Sequence, residues 1–306
     1  MYINPYEGLN ENSNCQRSNF HTHIGTGADT CGSLEIDDVL SEYSRLNYSA
    51  VSITNHNVYT DPSDYKNHGL CLVKGYEYTK DIHMVCLGTD KLCLGSYQEA
   101  IDSAVSDGGI AILCHPNWQR EWQIPKDTID SLHRFAGIEI YNGSIDCGPI
   151  REKNNSNGRC NASNVFDYIL SNGRLVWCFG NDDLHRWWYL AIAWNMIYSE
   201  KSESDIINAV KEGKFYVSTG LLLEELSLKE SRINVNVRNN EGFKDIYRYR
   251  FIGKNGKILK EVYEENASYD LCGDEMYVRI EVTGSSGKML YTQPIYDKNK
   301  FTREII

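Results

Sequence analysis

The sequence predicts an α/β chain in two parts, a parallel sheet or barrel over residues 1–222 and a small antiparallel β domain over 223–306. Two observations carry this expectation. Short apolar runs alternate with amphipathic stretches from about residue 17 to about 220, and the pattern then changes to strict period-two alternation. In chain order, Val51–Thr54, Leu72–Glu77, Met84–Leu87, Ile110–Cys114, Gly137–Tyr141 and Leu175–Phe179 are each short enough for a buried strand. Between them, Ser96-Tyr-Gln-Glu99 and Ser202-Glu-Ser-Asp205 read as helix-starting capping boxes, the second with Asp in place of Glu. Gly108 and Gly213 suit left-handed helix stops. In the tail, Tyr247, Tyr249 and Phe251 alternate with polar neighbours, as do Val278, Ile280 and Val282, and Asn255-Gly256 and Gly284–Gly287 are hairpin-turn signals.

With 306 residues, 41% hydrophobic and 24% charged, the chain can bury a sizeable core and is not composed like a disordered one. No run reaches the roughly 18–20 apolar residues of a membrane span, and the polar N-terminus lacks a signal-peptide core, so the expected compartment is the cytoplasm. Ten cysteines without an export signal or a CxxC pair are expected to stay reduced, with Cys86, Cys114 and Cys178 packing as small hydrophobes inside apolar runs. The formal charge of −11 repels polyanions and makes a nucleic-acid polymer a poor partner.

The chemistry is in the histidines. His21 and His23 are two apart, so an extended backbone points both to one face. His56 follows Val51–Thr54, Glu77 ends Leu72–Glu77, His83 opens the next strand, and His115 follows Ile110–Cys114. Asp183 and His185, again two apart, follow Leu175–Phe179. One such histidine is ordinarily a hydrogen-bonded core or loop residue. A set of them at equivalent strand ends, with two carboxylates among them, suits Zn, Mn or Fe. His68 and His133 lack this placement and read as surface or packing residues.

In this order, His21-Thr-His23, Ile53-Thr-Asn-His-Asn57, Gly75-Tyr-Glu77 with His83, Cys114-His-Pro116 and Asn181-Asp-Asp-Leu-His185 resemble the PHP (polymerase and histidinol phosphatase) superfamily. Phe215–Gly220, Tyr277-Val-Arg279 and Gln293-Pro294 resemble a branch with carbaryl-hydrolase-like members and a C-terminal β domain. The resemblance implies a distorted (β/α)7 barrel followed by an antiparallel β-sandwich, with two or three divalent ions. It assigns His21, His23, Glu77 and Asp183 to one ion. Glu77 bridges to a second held by His83 and His115, and His56 and His185 hold a third with Asp29 as a further ligand. Glu77, Asp183 and His185 would be the catalytic side chains. Where the family commonly has Asp before the first motif's histidine and before His56, this chain has Asn19 and Asn55, which can accept a hydrogen bond but bring no charge.

Ions in that pocket would make it locally positive and favour a small anionic phosphoester. A hydroxide bridging two ions would be the nucleophile, since metal binding can lower the pKa of water to about 7. Arg120 and Arg186 are candidates for gripping the phosphate. Trp118, Trp122, Trp187 and Trp188 flank the same motifs, either as a wall for a base or sugar or as rim packing. A carboxylic or carbamate ester hydrolase and a non-catalytic metal-holding scaffold are the competing functions, and the oligomeric state is left open.

Overall fold

The computed structural model describes residues 1–10, 13–27, 30–147, 159–239, 242 and 246–302. Over these residues the chain forms nineteen strands in three sheets against six α-helices. It is not the (β/α)7 barrel implied by the resemblance. Such a barrel needs parallel strands throughout, each followed by a crossover helix. Here Gly75–Thr79 turns back through Lys80–Ile82 into His83–Leu87, which runs antiparallel to both of its neighbours. Trp194–Tyr198 likewise runs antiparallel to Cys15–Asn19 and Phe215–Ser218. Two connections expected to be helical contain only three-residue 3-10 turns, Pro62–Asp64 and Trp187–Tyr189.

The strands that carry the histidines divide between two sheets. Cys15–Asn19, Ala50–Ser52 and Cys71–Val73 are parallel neighbours at one end of the largest sheet. Gly75–Thr79, His83–Leu87, Ile110–Leu113, Gly137–Asn142 and Trp177–Asn181 form the second, in that order. The run Leu72–Glu77 is therefore not one strand. It crosses between sheets at Gly75, where a Cβ would meet the Cys86 carbonyl at 2.7 Å and Ser52 Oγ at 2.9 Å, so only glycine fits.

Short parallel bridges, Thr22 with Leu184 and His56 with Glu77, join the two sheets. Side-chain amides complete the join. Asn181 Oδ1 accepts from Phe20 N at 3.0 Å, and Asn195 exchanges two hydrogen bonds with the Gly180 backbone. The ends of both strand sets thus face one another.

Helix Tyr97–Ser106 starts at Ser96 with both capping-box bonds formed, and Glu203–Lys211 starts at Ser202, whose hydroxyl accepts from Asp205 N. Gly108 and Gly213 follow them with positive φ. In the tail, Asn255 and Gly256 both have positive φ and turn Tyr247–Gly253 into Lys257–Glu264 through the three-residue loop Lys254–Gly256. Leu221–Lys229, Arg232–Asn239 and Asn266–Asp270 form a third sheet, whose Leu226, Val235 and Val237 share an apolar core with Tyr249, Ile280 and Val282. The tail also extends the largest sheet, because Met289–Thr292 pairs with Phe215–Ser218.

Candidate metal centre

Cys15–Asn19 leads directly into His21 and His23, both fully buried. Thr22 between them turns the other way and donates to the Ser52 carbonyl at 2.6 Å, which fixes the alternation. His115 and Asp183 sit just beyond strand ends with φ of 30° and 51°, a region few side-chain-bearing residues occupy. That local strain, of order 1–3 kcal/mol each, turns both side chains out of their strands and into the cluster.

His21 Nε2 lies 3.0 Å from His23 Nε2, 3.1 Å from Glu77 Oε1 and 3.4 Å from Asp183 Oδ1. His23 Nε2 lies 3.6 Å from Glu77 Oε2 and 3.2 Å from Asp183 Oδ1. Bonds of about 2.0–2.2 Å to one tetrahedral ion place its donors about 3.3–3.6 Å apart. The contacts among these four side chains, 3.0–3.6 Å, lie at or slightly inside that spacing. Glu77 is fully buried and faces in two directions. Oε1 meets His21, His83 at 3.1 Å and His115 at 3.6 Å, while Oε2 meets His23 and His56 and accepts from Thr79 Oγ1 at 3.1 Å.

Two groups of residues that the sequence reading missed hold this arrangement. Glu139, buried in Gly137–Asn142, takes His21 Nδ1 at 2.7 Å and the His115 backbone N–H at 2.9 Å. Its bond to His21 leaves Nε2 as the nitrogen that faces the cluster, the usual carboxylate support of a metal-bound imidazole. Asn142 and Ser144 donate to Asp183 Oδ2 at 3.2 and 3.0 Å, so Oδ1 is the oxygen presented to the histidines. Glu139 was legible in principle, as a carboxylate inside the apolar run Gly137–Tyr141.

A third missed residue is Cys31. It joins His23, His56 and His185 in a group whose ligand atoms all lie within 4.8 Å of one another. Asp29, the ligand expected there, lies outside the described residues. Asn55 does not orient His56. Its Oδ1 accepts from Thr30 Oγ1 at 2.9 Å, Thr30 Oγ1 accepts from Gly32 N at 3.0 Å, and Asn55 Nδ2 donates to the Ile24 carbonyl, so it anchors the loop bearing Cys31. Asn19 Oδ1 accepts from His21 N at 3.1 Å.

Burial pushes the Glu77 and Asp183 carboxyls up, but the histidines around them outweigh it and hold both well below the usual range. For His21, burial presses the imidazole down and Asp183, Glu139, Cys114 and Glu77 more than reverse it. Burial raises the Cys31 thiol, and hydrogen bonding with His185, His23 and His56 brings it down to about 4. The neighbouring Asp182 points away. It accepts from Tyr43 Oη and the backbone of Ala191, Ile192 and Ala193, and burial raises it to about 6.

The structure therefore brings together His21, His23, His56, Glu77, His83, His115, Asp183 and His185, and these buried His, Glu, Asp and Cys groups can hold metal ions. Arg186 lines a cavity of about 270 Å³ with Trp118, Ser144, Asp183, His185, Trp188 and Tyr189, and donates to Ser33 Oγ at 2.7 Å. Trp118 also packs on His83 and His115. Arg120 is exposed and does not line this cavity, and neither do Trp122 and Trp187. His68 pairs with Asp37 at 2.7 Å, apart from the cluster. Nine cysteines are described and all are free thiols, with Cys86, Cys114 and Cys178 buried. Among the described residues, no helix is long and apolar enough to cross a membrane.

No family model matches the sequence, and no curated protein matches it. Among solved structures, the chain is similar to PsfC from Pseudomonas syringae PB-5123, at 12% identity and a TM-score of 0.42 over 66% of this chain and 88% of that one. It is also similar to native alpha-2-macroglobulin from Escherichia coli spanning domains NIE-MG1, at 7% identity and a TM-score of 0.20 over 33% of this chain and 48% of that one. Likenesses this weak bear on neither the fold nor the chemistry.

Proposed function

We propose that the chain is a metal-dependent hydrolase of small phosphoric esters, working from this cluster in the manner of the PHP superfamily that its motifs resemble. The observation that carries the reading is a charge deficit. Glu77, Glu139 and Asp183 are buried together, and among the described residues they form ion pairs only with histidines. Buried carboxylates without lysine or arginine draw positive charge either from protonated imidazoles or from metal ions, and imidazoles that ligate an ion must be neutral and leave that charge to the ion. Two or three divalent ions, Zn, Mn or Fe, would supply it. His21, His23, Glu77 and Asp183 would hold one, Glu77 with His83 and His115 a second, and the group containing His56 and His185 a third. When bound, such ions offer an acidified water and a Lewis-acid contact to an ester oxygen.

The chain's own residues orient the substrate and limit the water. Arg186 spends one guanidinium nitrogen on Ser33 and the His185 carbonyl, and its remaining N–H groups can take phosphoryl oxygens. Trp118, Trp188 and Tyr189 wall the cavity with apolar surface beside the Asp183 and His185 polar edge.

The test combines metal analysis with a panel of aryl phosphomonoesters, phosphodiesters and carboxylic esters. The protein should hold Mn or Zn and release phosphate or phosphomonoester. Glu77→Gln should lower metal content and slow turnover by about 100-fold or more, since even support around a metal ligand is worth about 10–100-fold. Protein that takes up neither metal, or a Glu77→Gln variant with full turnover, would sink the proposal.

A further inference from the structure

We infer that Cys31 is a metal ligand and that Cys31, His56 and His185 form a zinc site of two imidazoles and one thiolate. The inference rests on reading the cluster as a metal centre and not on which ester is cleaved.

Two imidazoles meet the thiol with one ring nitrogen already committed elsewhere. His185 Nδ1 donates to the Asp183 carbonyl at 2.9 Å, which leaves Nε2 as its ligating nitrogen. His56 Nδ1 is engaged by Thr79 Oγ1 at 2.7 Å and by Glu77 Oε2, so its Nε2 is likewise the remaining donor. Pinning the far nitrogen of a ligating imidazole is how metal sites fix ring orientation. His23 belongs to the same group; its Nε2 is taken up by His21, Glu77 and Asp183, and its buried Nδ1 has no hydrogen-bond partner among the described residues.

The thiol is held in place from behind. Gly32 packs so closely on the His23 backbone that a Cβ would collide with its carbonyl, and Asn55 ties the loop through Thr30. Cys31 itself is exposed, so the site can be reached from solvent. Thiolate is a soft donor and favours zinc over manganese, whereas the carboxylates and imidazoles around Glu77 accept either. The two ends of the cluster thus differ in metal preference.

Cobalt substitution tests this directly. The full chain is stripped with chelator and reloaded with Co(II), and the near-ultraviolet thiolate-to-cobalt charge-transfer band is recorded. Wild type and Cys114→Ala should show the band, and Cys31→Ser should lose it together with one cobalt per chain. Cys114→Ala is the necessary control, because Cys114 groups with His21 and Glu77. A second measurement uses wild type alone, in which bound zinc should block alkylation of Cys31 by iodoacetamide. Cobalt bound without a Cys31-dependent band, a band lost in Cys114→Ala instead, or alkylation unaffected by zinc overturns the inference and leaves the proposed hydrolase standing. A chain that binds neither cobalt nor zinc overturns both.

Discussion

Every imidazole of the cluster has two nitrogens, and the side chain that takes the outer one decides where the inner lone pair points. Glu139 makes that choice for His21 and also receives the His115 backbone N–H, so one carboxylate steadies two histidines on different strands. Glu139→Gln keeps an acceptor but removes the charge and offers an NH2 group where a second acceptor is needed. Metal affinity, measured by chelator competition, should fall by about 10–100-fold with circular dichroism unchanged, and an unaltered affinity would refute the positioning role. The inner residues were readable because two-apart spacing and strand-end placement point histidines to one face. Glu139 was legible only as a carboxylate inside the apolar run Gly137–Tyr141, with no spacing that ties it to His21. Cys31 was passed over because a lone thiol gives no periodic signal and its partners come from distant segments.

At the scale of elements, the loop from Ile24 to Leu34 is as important as any strand. Its described residues form no helix or strand, yet Gly25 N donates to the Leu34 carbonyl at 2.8 Å and closes it at its base. Gly32 then presses it against His23. Gly32→Ala should push Cys31 outward, so that zinc-loaded protein is alkylated at Cys31 faster than wild type. Equal alkylation rates would show that the loop does not position the thiol. The strand set was largely legible from apolar runs. Its pairing directions were not, because direction depends on the three-residue turn Lys80–Ile82 and the sheet crossing at Gly75, and neither changes the hydrophobic pattern.

At the scale of the molecule, the tail supplies no histidine but braces the strands that do. Gln293 exchanges hydrogen bonds of 2.9 and 2.8 Å with the Cys178 backbone, directly behind Asp183. Arg279, on Tyr277–Thr283, is almost completely buried and makes a bidentate pair with Asp167 on helix Ser163–Ser171 at 2.8 and 2.7 Å, with Tyr277 Oη donating to the same carboxylate. Removing one partner of such a pair strands a buried charge at a cost of about 3–5 kcal/mol. Arg279→Leu should show that loss in urea unfolding, and replacing Asp167 with Leu as well should recover part of it. A loss below about 1 kcal/mol, the range of a surface pair, would mean that the contact does not bind the two regions together. The alternation that suggested a barrel reflects real strands, and the helices were over-read because loop segments between strands carry enough apolar residues to look amphipathic.

Cys15–Asn19 is hydrogen-bonded on one side to Ala50–Ser52 and on the other to Trp194–Tyr198, and Gln16 reaches Ser199 across 183 residues. A ribosome adding about 5–20 residues per second needs on the order of ten to forty seconds to deliver that second neighbour. Until then the segment carrying His21 and His23 is an unfinished sheet edge, and Asp183 has only just emerged or does not yet exist. Loading the proposed centre would therefore be a late event in the life of each molecule, and a captured ion would mark a chain whose synthesis has passed Tyr198.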